Sequence, residues 1–306
     1  MKNLSIESFI KKAVLRQINN ILKNMPHANK ANPDAIHDIR VASRRLLTIL
    51  NAFSIFFKQG MLKKWKRGIK KIMRKSRYIR DLDVQKAFLI NLEKNSKSRL
   101  IKKGFEKLLN ILQLKREKLQ SEMTETFNTV KDKNLLQNIC QNLCKLNIKP
   151  ANRKRSDLKS IAQFEIAKRM SKMLKYKKYA GSLEKTKKIH LLRIASKKLR
   201  YVLECFKPFY GNGINCHISN VKNIQRLLGL FHDYDLWLIF ATGNMTANRK
   251  DRQITCSLNY LKQECANLKM KTYKEFIQLW EKLLQNGEWK NLSRHINSGF
   301  KLNSRS

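Results

Sequence analysis

Residues 36–53 read IHDIRVASRRLLTILNAF, and residues 189–206 read IHLLRIASKKLRYVLECF. The two stretches align at an offset of 153 residues, which pairs His37 with His190 and Arg40 with Arg193. Self-similarity at a fixed spacing is typical of chains built from copies of one structural unit.

A second similar block follows each of these stretches at an offset of 152 residues. IKKIMR at 69–74 corresponds to VKNIQR at 221–226, and RDLDV at 80–84 corresponds to HDYDL at 232–236. Two blocks in the same order, agreeing within one residue, predict an internal duplication. We therefore expect a single domain over 1–306 made of two helical halves, 1–150 and 151–306, with the polar stretch 149–156 as their boundary.

Composition favours an all-α fold. The chain has 306 residues but only 10 Gly and 4 Pro, too few for an all-β protein with many tight turns. Hydrophobic residues make up 42%, which excludes wholesale disorder. We expect helices near 5–24, 34–57, 61–80, 83–95 and 98–128, and again near 157–180, 186–207, 216–231, 234–246 and 252–285.

Net charge is the strongest functional signal. The chain has 66 Lys and Arg against 22 Asp and Glu, a formal charge of +44. Such an excess repels itself in a compact state and favours a dense anionic partner, either nucleic acid, an anionic membrane surface or a phosphate polymer. Between Ile39 and Arg80 there are fourteen Lys or Arg and no Asp or Glu. A merely solvated face normally mixes both signs, so this run predicts an external anion.

At 100° per residue, the repeated stretches divide into an apolar side and a basic side. In the first stretch, Ile39, Ala42, Leu46, Ile49, Leu50 and Phe53 share the apolar side; in the second, Leu192, Ala195, Leu199, Val202 and Phe206 do. Thr48 and Tyr201 are expected on the basic sides. The following helices repeat the division, with Trp65, Ile69, Ile72 and Ile79 on the apolar side of the first. Helices packed side by side would bring two such basic sides together into a groove or channel.

The predicted ligand-binding residues all lie on these basic sides. Direct contacts are expected from His37, Arg40, Arg44, Arg74, His190, Arg193, Lys197 and Arg226, and an extended site from Arg45, Lys70, Arg77, Lys198, Arg200 and Lys222. Arg offers planar pairs of donors that match phosphate oxygens, and Lys offers a compact charge. The pattern therefore predicts a site for a long phosphate polyanion, without cofactor or metal.

Roles for the repeated histidines and aspartates stay open on sequence grounds. His37 and His190 could contact phosphate, form partly buried hydrogen bonds, or act as metal ligand or phospho-acceptor. Asp81 and Asp233 are expected to cap the helix that follows, or to orient neighbouring basic side chains. A paired-carboxylate metal site using Asp81 and Asp83 is the residual alternative.

Six cysteines, without a CxxC pair or a zinc-ligand pattern, suggest a reducing compartment. The first residues contain no uninterrupted apolar segment typical of a signal peptide, and no run approaches 18 apolar residues. We expect a cytoplasmic protein.

The repeated residues resemble the CHAD family, the conserved histidine α-helical domain, over residues 5–285. The carrying motifs are His37-x-x-Arg40-Val41-x-x-Arg44-Arg45-Leu46 and His190-x-x-Arg193-Ile194-x-x-Lys197-Lys198-Leu199-Arg200-Tyr201, together with the blocks around Asp81 and Asp233. The resemblance implies two helical bundles related by pseudo-twofold symmetry around a basic central pore or cleft. It also implies binding of inorganic polyphosphate and association with polyphosphate granules. Leu47 and Gly229 depart from the pattern, because the other copy has Arg200 and Arg77 there.

Three rival functions remain. A nucleic-acid-binding protein would show the same charge, although the basic sides have few aromatic residues for stacking and no helix-turn-helix element is evident. An enzyme acting on phosphoanhydrides would need more carboxylates or an activated nucleophile, so we expect no catalytic activity. Membrane-surface binding ranks last, because the apolar sides are needed for a core.

Overall fold

The structure is a computed structural model that describes residues 5–146 and 157–299, without the side chains of residues 246 and 247. Within these ranges the chain is almost entirely helical and contains no strand, which confirms the all-α fold class. The expected boundary at 149–156 lies largely outside the described residues. The helices are α1 (Ile6–Asn29), α2 (Pro33–Ala52), α3 (Gln59–Asn95), α4 (Arg99–Asp132), α5 (Leu135–Cys144), α6 (Leu158–Leu174), α7 (Thr186–Tyr210), α8 (Ile214–Ala247), α9 (Arg252–Gln285) and α10 (Glu288–Ser298).

The described chain divides into two compact units. The N-terminal unit comprises residues 5–146 and 248–258, and the C-terminal unit comprises residues 157–247 and 259–299. Helix α9 therefore begins in the first unit and continues in the second. The duplication and the pore stay predictions.

The core of the N-terminal unit forms around α2, which packs against α1 and α3, while α3 packs against α4. Phe53 at the end of α2 is fully buried, and its ring lies 5.6 Å from that of Phe9 in α1. Full burial of a large apolar side chain contributes about 2 kcal/mol, so this pair helps to hold the two helices together.

Close packing also joins α4 to the start of α9 within the N-terminal unit. The Ser257 hydroxyl donates to the carbonyl oxygen of Ile101 at 2.7 Å. A Cβ atom at Gly104 would lie 2.2 Å from the carbonyl oxygen of Gln253, so only glycine permits this approach.

In the C-terminal unit, α7 packs against α6 and α8, and α10 packs on α6 and α8. The side chain of His217 in α8 lies 2.7 Å from a carboxylate oxygen of Glu288 in α10, and both are buried. Hydrogen bonds from His217 and Asn220 lower the pKa of the Glu288 carboxyl, although burial alone would raise it. Burial and the nearby His217 both lower the pKa of His295.

Several predicted helix boundaries were wrong. The segments 61–80 and 83–95 form the single helix α3, and 216–231 and 234–246 form the single helix α8. No residue at either junction breaks a helix, and Leu82 is buried there, so packing favours continuation. The segment 34–57 ends its α-helix at Ala52 and continues as a 3-10 turn at Ser54–Phe56. The segment 157–180 ends at Leu174, and α5 and α10 were not predicted.

Candidate functional site

On α2, the predicted division into two sides is confirmed. All six residues assigned to the apolar side are buried, and Leu47 is buried as well. On the opposite side, His37, Arg40 and Arg44 are half-buried, and Arg45 is exposed. The charged ends of long basic side chains can reach water while their carbon chains cover apolar surface. This basic side of α2 can therefore present its charges to an external anion.

On α3, the predicted basic side is exposed along its whole length. Lys70, Arg74 and Arg77 are exposed, and the opposite side is buried against α2 and α4. Within the described residues, neither Lys70 nor Arg74 forms an ion pair or hydrogen bond. Partial burial, and then the charge of Lys70, lower the pKa of Lys66 one turn earlier. Positive side chains on α3 are therefore close enough to repel one another.

Two predicted contacts are partly neutralised by carboxylates one turn away. The Arg77 guanidinium donates to Asp81 at 3.2 Å, and the Arg200 guanidinium lies 3.3 Å from Glu204. The Arg77 pair is exposed, so it costs little to exchange Asp81 for a phosphate. The Arg200 pair is mostly buried and sits against the Tyr201 ring, which makes Arg200 the weakest of the predicted contacts.

On α7, the apolar side matches the prediction, and His190, Arg193 and Lys197 are half-buried on the other side. Lys198 is exposed. The placement of Tyr201 on the basic side was wrong, because Tyr201 is only 3% exposed. A large aromatic ring gains more from burial than its hydroxyl loses, so the accessible side of α7 ends near Lys197.

On α8, Lys222 and Arg226 are exposed and, among the described residues, make no ion pair or hydrogen bond. They match Lys70 and Arg74 of α3 at the offset of 152 residues. We call the accessible basic sides of α2, α3, α7 and α8 the basic stripes. Five predicted site residues (Lys70, Arg74, Lys198, Lys222 and Arg226) thus have exposed charges without internal partners in the described chain.

The structure assigns other roles to the repeated aspartates. Asp81 and Asp233 lie inside α3 and α8, so their prediction as helix caps was wrong. Asp81 accepts a hydrogen bond from Arg77, which is the orienting role left open by the sequence. Asp83 accepts a 2.6 Å hydrogen bond from Arg116 in α4, so both carboxylates of the alternative metal site bind guanidinium groups.

Asp235, the counterpart of Asp83 in the C-terminal unit, also binds a basic residue of a later helix. Asp235 accepts a 2.7 Å hydrogen bond from Lys269 in α9. Lys269 follows Arg116 by 153 residues, which is the offset of the repeated motifs. This parallel supports the predicted duplication beyond the stretches that suggested it.

Sequence reasoning missed His232 as a neighbour of His190. The two rings lie 4.4 Å apart between α7 and α8. The sequence does contain a signal for this contact, because His232 stands in the second repeated block at the position that Arg80 occupies in the first. A cavity of about 400 Å³ opens beside the two rings. Its wall is largely apolar and includes the exposed side chains of Leu191, Leu236 and Ile239, so phosphate does not match it.

Comparison with known families decides the relationship. The model of the CHAD domain matches residues 12–242, well over half of the chain and every residue of the basic stripes. The chain belongs to the CHAD family. A search of curated proteins found no match.

Two solved structures share the CHAD fold with this chain. A crystal structure of the CHAD domain from the plant Ricinus communis has a TM-score of 0.69 and 14% identity, covering 90% of this chain and 92% of that one. PptA from Streptomyces chartreusis has a TM-score of 0.66 and 12% identity, covering 90% of this chain and 99% of that one. At these identities the likeness shows the fold alone.

Two further observations concern the described residues. Their helices are all too short or too polar to cross a lipid bilayer.

All six cysteines are free, and burial raises the pKa of the Cys205 thiol to about 12.

Proposed function

We propose that this CHAD protein binds inorganic polyphosphate through its basic stripes. The observation that carries the proposal is the set of exposed cations at matching positions of α3 and α8, Lys70 with Lys222 and Arg74 with Arg226, which have no internal partners in the described chain. Like charges on one helix face destabilise it unless a counter-ion neutralises them. A linear polymer with one negative charge per phosphate supplies that neutralisation at many points.

The half-buried residues give the stripes their selectivity. Arg40, Arg44 and Arg193 are held by the packed helices, so little side-chain entropy is lost when they bind. Their guanidinium groups can form paired hydrogen bonds with two oxygens of a phosphate. His37 and His190 add hydrogen-bond donors at the start of each stripe. Binding should weaken steeply as salt concentration rises, because released counter-ions drive the association of polyanions with cations.

Binding without turnover completes the proposal. Asp81 and Asp83, the carboxylates that could have held a metal ion, are bonded to Arg77 and Arg116. We propose the cytoplasm as the location, since six free cysteines suit a reducing compartment, and association with polyphosphate granules there.

Charge reversal at matched positions tests the proposal. Arg40→Glu with Arg193→Glu, or the exposed pair Arg74→Glu with Arg226→Glu, should weaken polyphosphate binding by about tenfold or more at physiological salt. The control is Lys131→Glu with Lys290→Glu, which changes the charge equally at two exposed lysines outside the stripes. Fluorescence anisotropy with end-labelled polyphosphate measures all three proteins, and circular dichroism checks their folding.

Two results would contradict the proposal. Equal losses in the stripe and control variants would mean that total charge alone binds the polymer. Failure of polyphosphate to displace RNA or duplex DNA at physiological salt would favour nucleic acid as the ligand.

A further inference from the structure

Three lysines converge on one aromatic ring in the C-terminal unit. The ammonium groups of Lys178, Lys185 and Lys188 lie 5.2, 5.3 and 5.4 Å from the centroid of the Tyr179 ring. An aromatic face attracts cations at such distances, so the ring gathers charges that would otherwise spread apart. We call these four residues the Tyr179 cluster.

The backbone beneath the cluster is anchored. Tyr179 lies in a 3-10 turn (Lys177–Tyr179), and Ala180 beside it is buried. The hydroxyl group of Tyr273 in α9 donates a 2.9 Å hydrogen bond to the carbonyl oxygen of Ala180. The amide of Ser182 bonds back to the carbonyl oxygen of Tyr179. These bonds fix the backbone that carries the Tyr179 ring.

Within the described residues, no carboxylate forms an ion pair with the cluster. Glu184 precedes Lys185 and its charge, after burial, raises the pKa of Tyr273, but it pairs with none of the three lysines. Among the described residues, Lys178, Lys185 and Lys188 form no ion pair, and all three are exposed. Helix α7 begins directly after Lys185 without a side-chain cap and without an acidic residue in its first turn. The positive end of the helix dipole adds to the field of the lysines. At the matching start of α2, Asn32 caps the helix and Asp34 lies in its first turn.

The cluster lies apart from the basic stripe of α7. Lys188 precedes His190 by two residues, which places the two side chains roughly 200° apart around the helix. Lys185, the residue before α7, lies against the same Tyr179 ring as Lys188. A phosphate held by His190 and Arg193 is therefore on the other side of the helix from the Tyr179 cluster.

We propose that the Tyr179 cluster is a second oxyanion-binding site, which takes a short linear run of phosphates. Tyr179 acts as a positioning residue, since it keeps three ammonium groups close enough to bind one oligophosphate segment together. The inference rests on the proposed function only for the identity of the polymer, because the cluster itself uses none of the stripe residues. Its expected ligand is a chain end or a passing segment of polyphosphate.

Substitutions of Tyr179 test the site without changing the net charge. Tripolyphosphate is the probe, and isothermal titration calorimetry is done on the full chain carrying Arg74→Glu and Arg226→Glu. These two changes weaken binding at the stripes, so the cluster accounts for a larger share of the affinity that is measured. Tyr179→Leu should weaken tripolyphosphate binding by about fivefold, because the lysines lose their shared ring. Tyr179→Phe keeps the aromatic face and should leave the affinity unchanged.

A matched set of lysines provides the second comparison. Lys178, Lys185 and Lys188 changed together to Gln should weaken tripolyphosphate binding in this background by more than Tyr179→Leu does, whereas the exposed α9 residues Lys262, Lys271 and Lys274 changed to Gln should reduce it little. Equal effects of the two triple variants, or no effect of Tyr179→Leu, would overturn the inference. If the cluster variants weaken binding while the stripe variants bind polyphosphate as tightly as the parent chain, the inference stands and the proposed function fails.

Discussion

Helix α2 begins at a capped end, whereas the matching helix α7 begins at an uncapped one. The Asn32 side chain accepts hydrogen bonds from the amides of Asp34 and Ala35, and Pro33 occupies the first helical position. At the start of α7, Lys185 provides no side-chain cap. Both helices nevertheless bury most of the matching positions and carry matching basic residues, with Leu47 and Tyr201 as exceptions. The matching buried and basic positions show what both units require for packing and for the basic stripes. The different helix starts show where the C-terminal unit has a property of its own.

The connections behind the two helices differ in the same way. Ala31 adopts a left-handed φ of 62°, which costs a non-glycine residue about 1 kcal/mol. Arg116 donates to the Ala31 carbonyl oxygen at 3.0 Å, and Gln120 donates to that of Ala28. The α1–α2 connection is thus tied to α4. The connection before α7 is longer and carries the Tyr179 cluster instead.

The largest expected difference concerns two ion pairs at matching positions of the two units. In the pair of Arg116 and Asp83 both side chains are 11% exposed, whereas in that of Lys269 and Asp235 they are 16% and 32% exposed. Arg116→Met should lower the free energy of unfolding by about 3 kcal/mol, because it leaves a buried carboxylate unpaired. Lys269→Met should cost about 1 kcal/mol, since water reaches Asp235.

Urea denaturation followed by circular dichroism measures both losses. Adding Asp83→Leu to Arg116→Met should recover part of the stability, because the unpaired charge is removed. Equal losses for Arg116→Met and Lys269→Met would show that the two pairs do not differ in the way their burial indicates.

Exchanging the helix starts should have a smaller effect. Lys185→Asn gives α7 the cap that α2 already has and should raise the free energy of unfolding by about 1 kcal/mol. The same change removes one lysine from the Tyr179 cluster and should weaken tripolyphosphate binding. A variant that gains stability and keeps full affinity would separate the cap from the cluster and count against our assignment of Lys185.

Gly229 allows a still smaller test. It matches Arg77, and a Cβ atom there would meet no atom within 4 Å. Gly229→Ala and Gly229→Arg should each add about 0.5–1 kcal/mol of stability, because glycine is unfavourable inside a helix. Only Gly229→Arg should tighten polyphosphate binding, by about twofold, if the stripe of α8 extends that far. Equal affinities for the two variants would place the end of that stripe before Gly229.

The smallest expected effect is a pH dependence that arises at His295 in the C-terminal unit. Because its environment lowers the pKa of His295, the folded state disfavours protonation, and stability should fall as the pH drops below about 6.5. The lowered pKa of Glu288 adds a loss at more acidic pH. Relative to His295→Gln, the wild-type Tm should fall by about 1–2 °C more between pH 7.5 and 5.5. Parallel Tm curves would exclude this role of His295.

The sequence predicted those helices in which apolar residues recur regularly at every third or fourth position. The buried sides of α2, α3 and α7 match the expected residues because helix geometry alone determines which side chains share a face. The continuity of α3 and α8 was not predicted, because an aspartate that binds an arginine and an aspartate that caps a helix have the same local sequence. The partner of Asp81 is Arg77, four residues earlier, and only the burial of Leu82 against neighbouring helices shows that the helix continues past this pair.

At the candidate site, the sequence predicted which face of a helix each side chain lies on, but not which residues of other helices it contacts. It placed Arg74 and Arg226 on exposed surfaces correctly. It misplaced Tyr201, because burial depends on which helix lies above a position and not only on the angle around α7. The Tyr179 cluster escaped notice for the opposite reason, since its lysines are ordinary in sequence and become distinctive only when they meet at one ring.

Helix α9 has a consequence for anyone who wishes to study one unit by itself. A fragment that stops at residue 146 lacks Ser257, which bonds to Ile101, and Asp251, which pairs with Lys107 at 2.6 Å. It also exposes the surface of Gly104 that the Gln253 backbone covers. A fragment of the N-terminal unit should therefore include residues 248–258, either fused to its end or added as a separate peptide.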